Sequence, residues 1–165
     1  MPTPQGKTLI NTYNYFMTPT LIGRWQSRIF LFATIGVLFS LPFALSSGVE
    51  HIQWVYFWVL LYLSIFGLGW DILYNYLQKF LWDHDWPGVL ILISGIVEAI
   101  FLALIINFVG LPNIPKDSFS LPLYIIHYSV VWVAIYCSSW VVMRLLFPRA
   151  RFRGGAWIGP WTKVN

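Results

Sequence analysis

The chain has 165 residues, 58% of them hydrophobic and only 10% charged, well under the roughly 25% charge of soluble domains; a water-soluble fold of this size could not hide so much apolar surface, so the composition implies lipid as the solvent. The net charge of +4 comes from basic residues beside apolar runs, which points to anionic headgroups and away from nucleic acid. The single cysteine, Cys137, excludes an intrachain disulfide and any C-x-x-C metal or redox motif, and its apolar surroundings suggest a small buried side chain.

Residues 1–28 read as a cytoplasmic N-terminal segment. Within it Leu9, Ile10, Tyr13, Phe16 and Met17 recur at three- and four-residue spacing, which suits a short amphipathic helix on the membrane surface. An irregular tail is the competing reading. No apolar stretch directly follows a short basic start, so the segment does not resemble a secretory leader. Leu45-Ser46-Ser47-Gly48 weakly resembles a cleavage region, and cleavage there would leave three spans.

Residues 29–147 hold four apolar runs, at about 29–45, 52–74, 87–108 and 121–146, each close to the roughly 20 residues a spanning helix needs. The first is introduced by Thr18-Pro19, an N-cap followed by proline at the first helical position. That start puts Arg24, Trp25 and Arg28 at the headgroup level, and Pro42 near the far end kinks or finishes the helix. The second carries Gly67, Gly69 and Asp71, with helix extending toward Trp82. The third follows Asp83-His84-Asp85-Trp86-Pro87. An Asp-x-Asp pair can hold a divalent metal against a phosphate, but Asp85 serves more simply as a helix N-cap, and no metal site is assigned. The fourth opens on Leu121-Pro122 and stops before Pro148. Residues 148–165 form a basic-aromatic cytoplasmic tail. There Arg149, Arg151 and Arg153 join Arg24 and Arg28 as candidate contacts for anionic lipid headgroups, a protein docking strip being the alternative.

Short connections at 46–51, 83–86 and 109–120 imply an all-α, four-helix, up-down-up-down transmembrane bundle. Of ten Lys and Arg residues, Lys7, Arg24, Arg28, Arg144, Arg149, Arg151, Arg153 and Lys163 all fall toward the chain ends. The positive-inside rule then puts both termini in the cytoplasm. A bacterial-type plasma (inner) membrane is the expected host, with an organelle or thylakoid membrane as the alternative.

Glu98 is the main candidate for chemistry. It lies about 12 residues into the third span, ~18 Å deep, where an ionisable group costs at least ~2.5 kcal/mol and must find a partner. Ser94, one turn earlier, could share a hydrogen bond. The possible roles are a proton relay, a cation site, a contact for a lipid-like ligand, or a polar contact gluing helices together. Gly95, Ala99 and Ala103 form a small-residue stripe beside it, suited to helix packing. Gly67 and Gly69 suggest the same purpose in the second span. Asp71 and Arg144 sit at matching depths and suggest an ion pair. The depth gap from Asp71 to Glu98, on the order of 9 Å, argues against contact between them and for a water chain. His127 reads as a haem or chlorophyll ligand, a proton carrier, or a core histidine bonded to a neighbour.

No lysine lies within a span, and there is no H-E-x-x-H, G-x-S-x-G or phosphate-binding glycine loop. Nor is there an arginine ladder or an inverted repeat. These absences weigh against an enzyme, and the sequence names no cofactor. The leading expectation is a small polytopic, non-enzymatic subunit of a membrane assembly or a homo-oligomer. Its partners would be the bilayer and either itself or other membrane subunits. The first alternative is a proton or ion conductor using Glu98. The second is a lipid- or quinone-type ligand binder, or a membrane enzyme, with Glu98 and His127 lining the pocket.

Overall fold

The computed structural model describes residues 20–46, 48, 52–81, 88–114, 116, 119–147, 156 and 158. The suggested surface helix at Leu9–Met17, the Asp83-His84-Asp85 turn, and Arg149, Arg151 and Arg153 fall outside them.

Four helices are long and apolar enough to cross a membrane, and no strand occurs among the described residues. The chain thus fits a small integral membrane protein. The first candidate span, Leu21–Ala44, is built from three pieces: α1 (Leu21–Leu31), a π-helical turn (Phe32–Gly36) and α2 (Val37–Ala44). The second is α3 (Val55–Leu77), closed by a 3₁₀ turn, Gln78–Phe80. The third is α4 (Gly88–Phe108) and the fourth α5 (Leu121–Leu146).

The ends follow local chemistry. Thr20, not Thr18, caps α1, its hydroxyl accepting from Gly23 N–H at 3.2 Å. The helix therefore begins well before the apolar run does. Gly110 ends α4 with φ +81°, the left-handed conformation that glycine adopts without penalty. Lys116 Nζ then donates to the carbonyl of Phe108 at 3.0 Å. The connection that follows folds Ile114 into the core formed by Val59, Leu63, Leu102, Ile106 and Tyr124.

The π turn has no counterpart in the hydropathy pattern, and it sets which side chains of the first span face inward. Val37 N–H reaches back five residues to the carbonyl of Phe32, so one extra residue enters the helix at this point. In an uninterrupted α-helix Arg28 and Ser40 would lie about 120° apart around the axis. The insertion reduces that angle to about 20°. Both residues consequently face the bundle interior, and each anchors a polar contact there. Pro42 does not finish the helix; it sits inside α2, which runs on to Ala44.

Backbone and side-chain contacts near both ends join the first and second spans. Trp25 Nε1 donates to the carbonyl of Leu68 at 3.1 Å, and Arg24 Nη2 to Gln78 Oε1 at 2.8 Å. Where the first span ends and just before α3 begins, Gln53 N–H donates to the carbonyl of Ala44 at 2.8 Å.

Candidate functional site

The strongest polar feature of the interior is a three-helix ion cluster centred on Arg28. The Nε–Nη2 edge of its guanidinium meets Asp71: Nε to Oδ2 and Nη2 to Oδ1, both at 2.9 Å. The Nη1–Nη2 edge meets Glu98: Nη1 to Oε2 at 2.9 Å and Nη2 to Oε1 at 3.0 Å. All four carboxylate oxygens are thereby engaged by one planar cation, an arrangement to which arginine's rigid fork is suited and lysine's ammonium is not. Asp71 is 3% exposed and Glu98 7%, so the cluster belongs to the protein interior. The Tyr74 hydroxyl, on the same side, donates to the carbonyl of Ser94, one turn before Glu98, at 3.5 Å.

Several expectations change here. The Arg28 side chain is turned into the bundle as the shared partner of both acids, where a contact with lipid headgroups was expected. Asp71 has Arg28 on both oxygens, where Arg144 was expected; the Arg144 side chain is outside the described residues. The depth gap between Asp71 and Glu98 is bridged by the length of the Arg28 side chain, with no water chain required. Ser94 does not share a bond with Glu98, because its hydroxyl donates to the carbonyl of Ile91 at 2.8 Å. Arg24 is turned toward Gln78.

Glycine makes room for this cluster. A methyl group at residue 67 would overlap the guanidinium of Arg28 and come within 3.0 Å of its Cδ. Gly69 was expected to share this packing duty, but no described residue lies within 4 Å of a Cβ there. On α4, Gly95 and Ala99 receive aromatic side chains, where the small-residue stripe had suggested a neighbouring backbone. The Trp132 ring lies where a Cβ at residue 95 would go. Tyr128 and Tyr124 donate to the carbonyls of Gly95 and Ala99, at 2.5 and 2.9 Å. Ala103 packs against the apolar core.

A second polar centre lies farther along the first span. Ser40 Oγ and His127 Nε2 are 2.9 Å apart, and both residues are almost fully buried. The imidazole is edge-on to Phe43, with ring centroids 5.1 Å apart, and tilted against Tyr56 at 4.9 Å. Among the described residues its Nδ1 has no hydrogen-bond partner. A buried polar atom in that condition costs about 1–3 kcal/mol. His127 also borders a cavity of about 340 Å³ between α3 and α5, whose mouth carries Gln53 and Ser120. Glu98 does not line this cavity, so the two residues expected to share a pocket belong to separate sites.

The sequence carried one signal for Arg28 that depth alone did not use. Gly67 and Asp71 are one turn apart on the same face of α3, a space and an acid stacked where a long cation could lie. No family model, curated protein or solved structure matches the chain.

Proposed function

We propose that the protein is a multi-pass, non-enzymatic subunit of a membrane assembly, formed with copies of itself or with other membrane subunits. The observation that carries this reading is the state of the fourth span. Only 11% of its apolar window is buried, against 22%, 33% and 28% for the first, second and third. Its open side bears Ser129, Val133, Cys137 and Val141 at four-residue intervals. Ser129 and Cys137 are small and weakly polar, and with a valine beside each they suit a helix–helix contact in lipid better than a lipid-facing surface. Cys137, expected to be buried, is exposed on this side.

The ion cluster supports the same reading. Glu98 and Asp71 are both consumed in tying α1, α3 and α4 together, which favours a locking role over conduction through Glu98. An up-down-up-down course with both termini in the cytoplasm agrees with the basic residues near the chain ends. A bacterial-type inner membrane and anionic lipid at the basic tail complete the proposal.

The single cysteine makes the assembly testable in intact membranes. A membrane-permeant bismaleimide should link two copies through Cys137, and Cys137→Ser should abolish the product. Gentle extraction and sizing then separates the two forms of assembly. Co-purifying polypeptides without a cross-link indicate a mixed complex. A particle of single-chain mass, with neither cross-link nor companion, overturns the proposal.

A further inference from the structure

We infer that the cavity between α3 and α5 binds a flat, oxygen-substituted ring of the quinone or quinol class. This site is separate from the exposed face of α5 and stands independently of the assembly proposed above. Three observations converge on that chemistry.

The first is size and depth. At about 340 Å³ the cavity falls within the range of small-molecule sites, about 300–1,000 Å³. It runs from Ser120, which precedes α5, to His127, seven positions later and hence ~10 Å deeper along the helix. The second is the lining. Tyr56, Phe119, Tyr124 and His127 contribute four rings, and aromatic walls favour a planar guest over a flexible acyl chain, whose ordering costs more conformational entropy. Tyr124 offers only its ring, since its hydroxyl is bound to the carbonyl of Ala99.

The third observation is polar. His127, 1% exposed, has Nε2 committed to Ser40 and, among the described residues, no partner for Nδ1, a buried atom that a guest would meet by displacing the lining around the imidazole. If Ser40 donates to Nε2, Nδ1 carries the hydrogen and matches a ring carbonyl. In the other tautomer Nδ1 accepts, and matches a ring hydroxyl. A quinone or its quinol supplies one or the other. At the mouth, Ser120 stands at the N-terminus of α5 without a side-chain capping bond among the described residues; Pro122 removes one donor from that first turn, and the helix dipole with the N–H groups that remain favours a second oxygen on the guest.

The test uses the full chain in nanodiscs, with isotope-labelled histidine read by NMR. The probes are duroquinone and decylubiquinone, both fully substituted rings that do not add readily to the Cys137 thiol. His127 signals are assigned by their loss in His127→Gln. The expected result is a saturable shift of the His127 ring nitrogens. Saturation by both probes supports a site for the ring itself. Saturation by decylubiquinone alone supports a site filled from the bilayer through its tail. Leu123 lines the cavity but is 49% exposed, so Leu123→Trp fills the cavity with little risk to folding and should weaken binding at least about tenfold. No saturable shift with either probe, or an undiminished shift in Leu123→Trp, overturns the inference.

Discussion

Replacing Arg28 by methionine should destabilise the protein by about 3–5 kcal/mol, because it leaves two buried carboxylates facing each other without a cation. The measurement is unfolding of the purified protein in mixed micelles, read by tryptophan fluorescence. In cells the same change should appear as loss of monodisperse protein on extraction. Arg28→Lys should recover only part of the deficit, since an ammonium cannot present two donor edges to Asp71 and Glu98 at once. The decisive variant is the triple replacement Arg28→Met, Asp71→Leu and Glu98→Leu. Removing a whole buried ion cluster in favour of apolar side chains is often neutral or stabilising, so the triple variant should be far more stable than Arg28→Met alone. An Arg28→Met protein as stable as the parent would show that the cluster does not hold the three helices together. A triple variant no better than the single one would show that Arg28 matters for a reason other than these two acids.

Reading the sequence reached the spans but not the pairing. The four apolar runs and the limits of α4 and α5 followed from hydropathy and from the Gly and Pro residues at their ends. A helix begun at Thr18-Pro19 already includes Arg28, so its place on the first helix is legible in the sequence, whereas the inward direction of its side chain is not. Choosing between Arg28 and Arg144 for Asp71 requires the rotation of each helix as well as its depth. For the first span that rotation depends on the π turn at Phe32–Gly36, which has no composition signature of its own. Glu98 was recognisable as a residue needing a partner, because burial of a lone charge in lipid is costly whatever the fold. The cavity beside His127 had no comparable signal. It arises where α3, α5 and the residues before each of them fail to fill a space, a property of packing that one chain's periodicity does not encode.

The same geometry gives two neighbouring glycines opposite sensitivities. Glycine inside a helix is less favourable than alanine by about 0.8–1.0 kcal/mol, so an Ala substitution at an unobstructed position should stabilise. Gly69 meets that condition, with no described residue within 4 Å of the added methyl, and Gly69→Ala should raise stability by up to ~1 kcal/mol. Gly67 does not. Its methyl would overlap the Arg28 guanidinium at the Nη1 side, the side whose bond reaches Glu98 Oε2. The guanidinium would have to withdraw from Glu98, and each charge-assisted bond lost costs about 1.5–3 kcal/mol. That loss outweighs the helix-propensity gain, so Gly67→Ala should lower stability by ~2 kcal/mol or more. The two variants, unfolded side by side, should move in opposite directions from the parent. Equal effects, or a stabilised Gly67→Ala, would place Arg28 somewhere other than over residue 67. The mechanism is then checked by coupling: in the triple variant lacking the cluster, the penalty at residue 67 should vanish, because the flexible, uncharged side chain introduced by Arg28→Met can move aside without abandoning an ion pair.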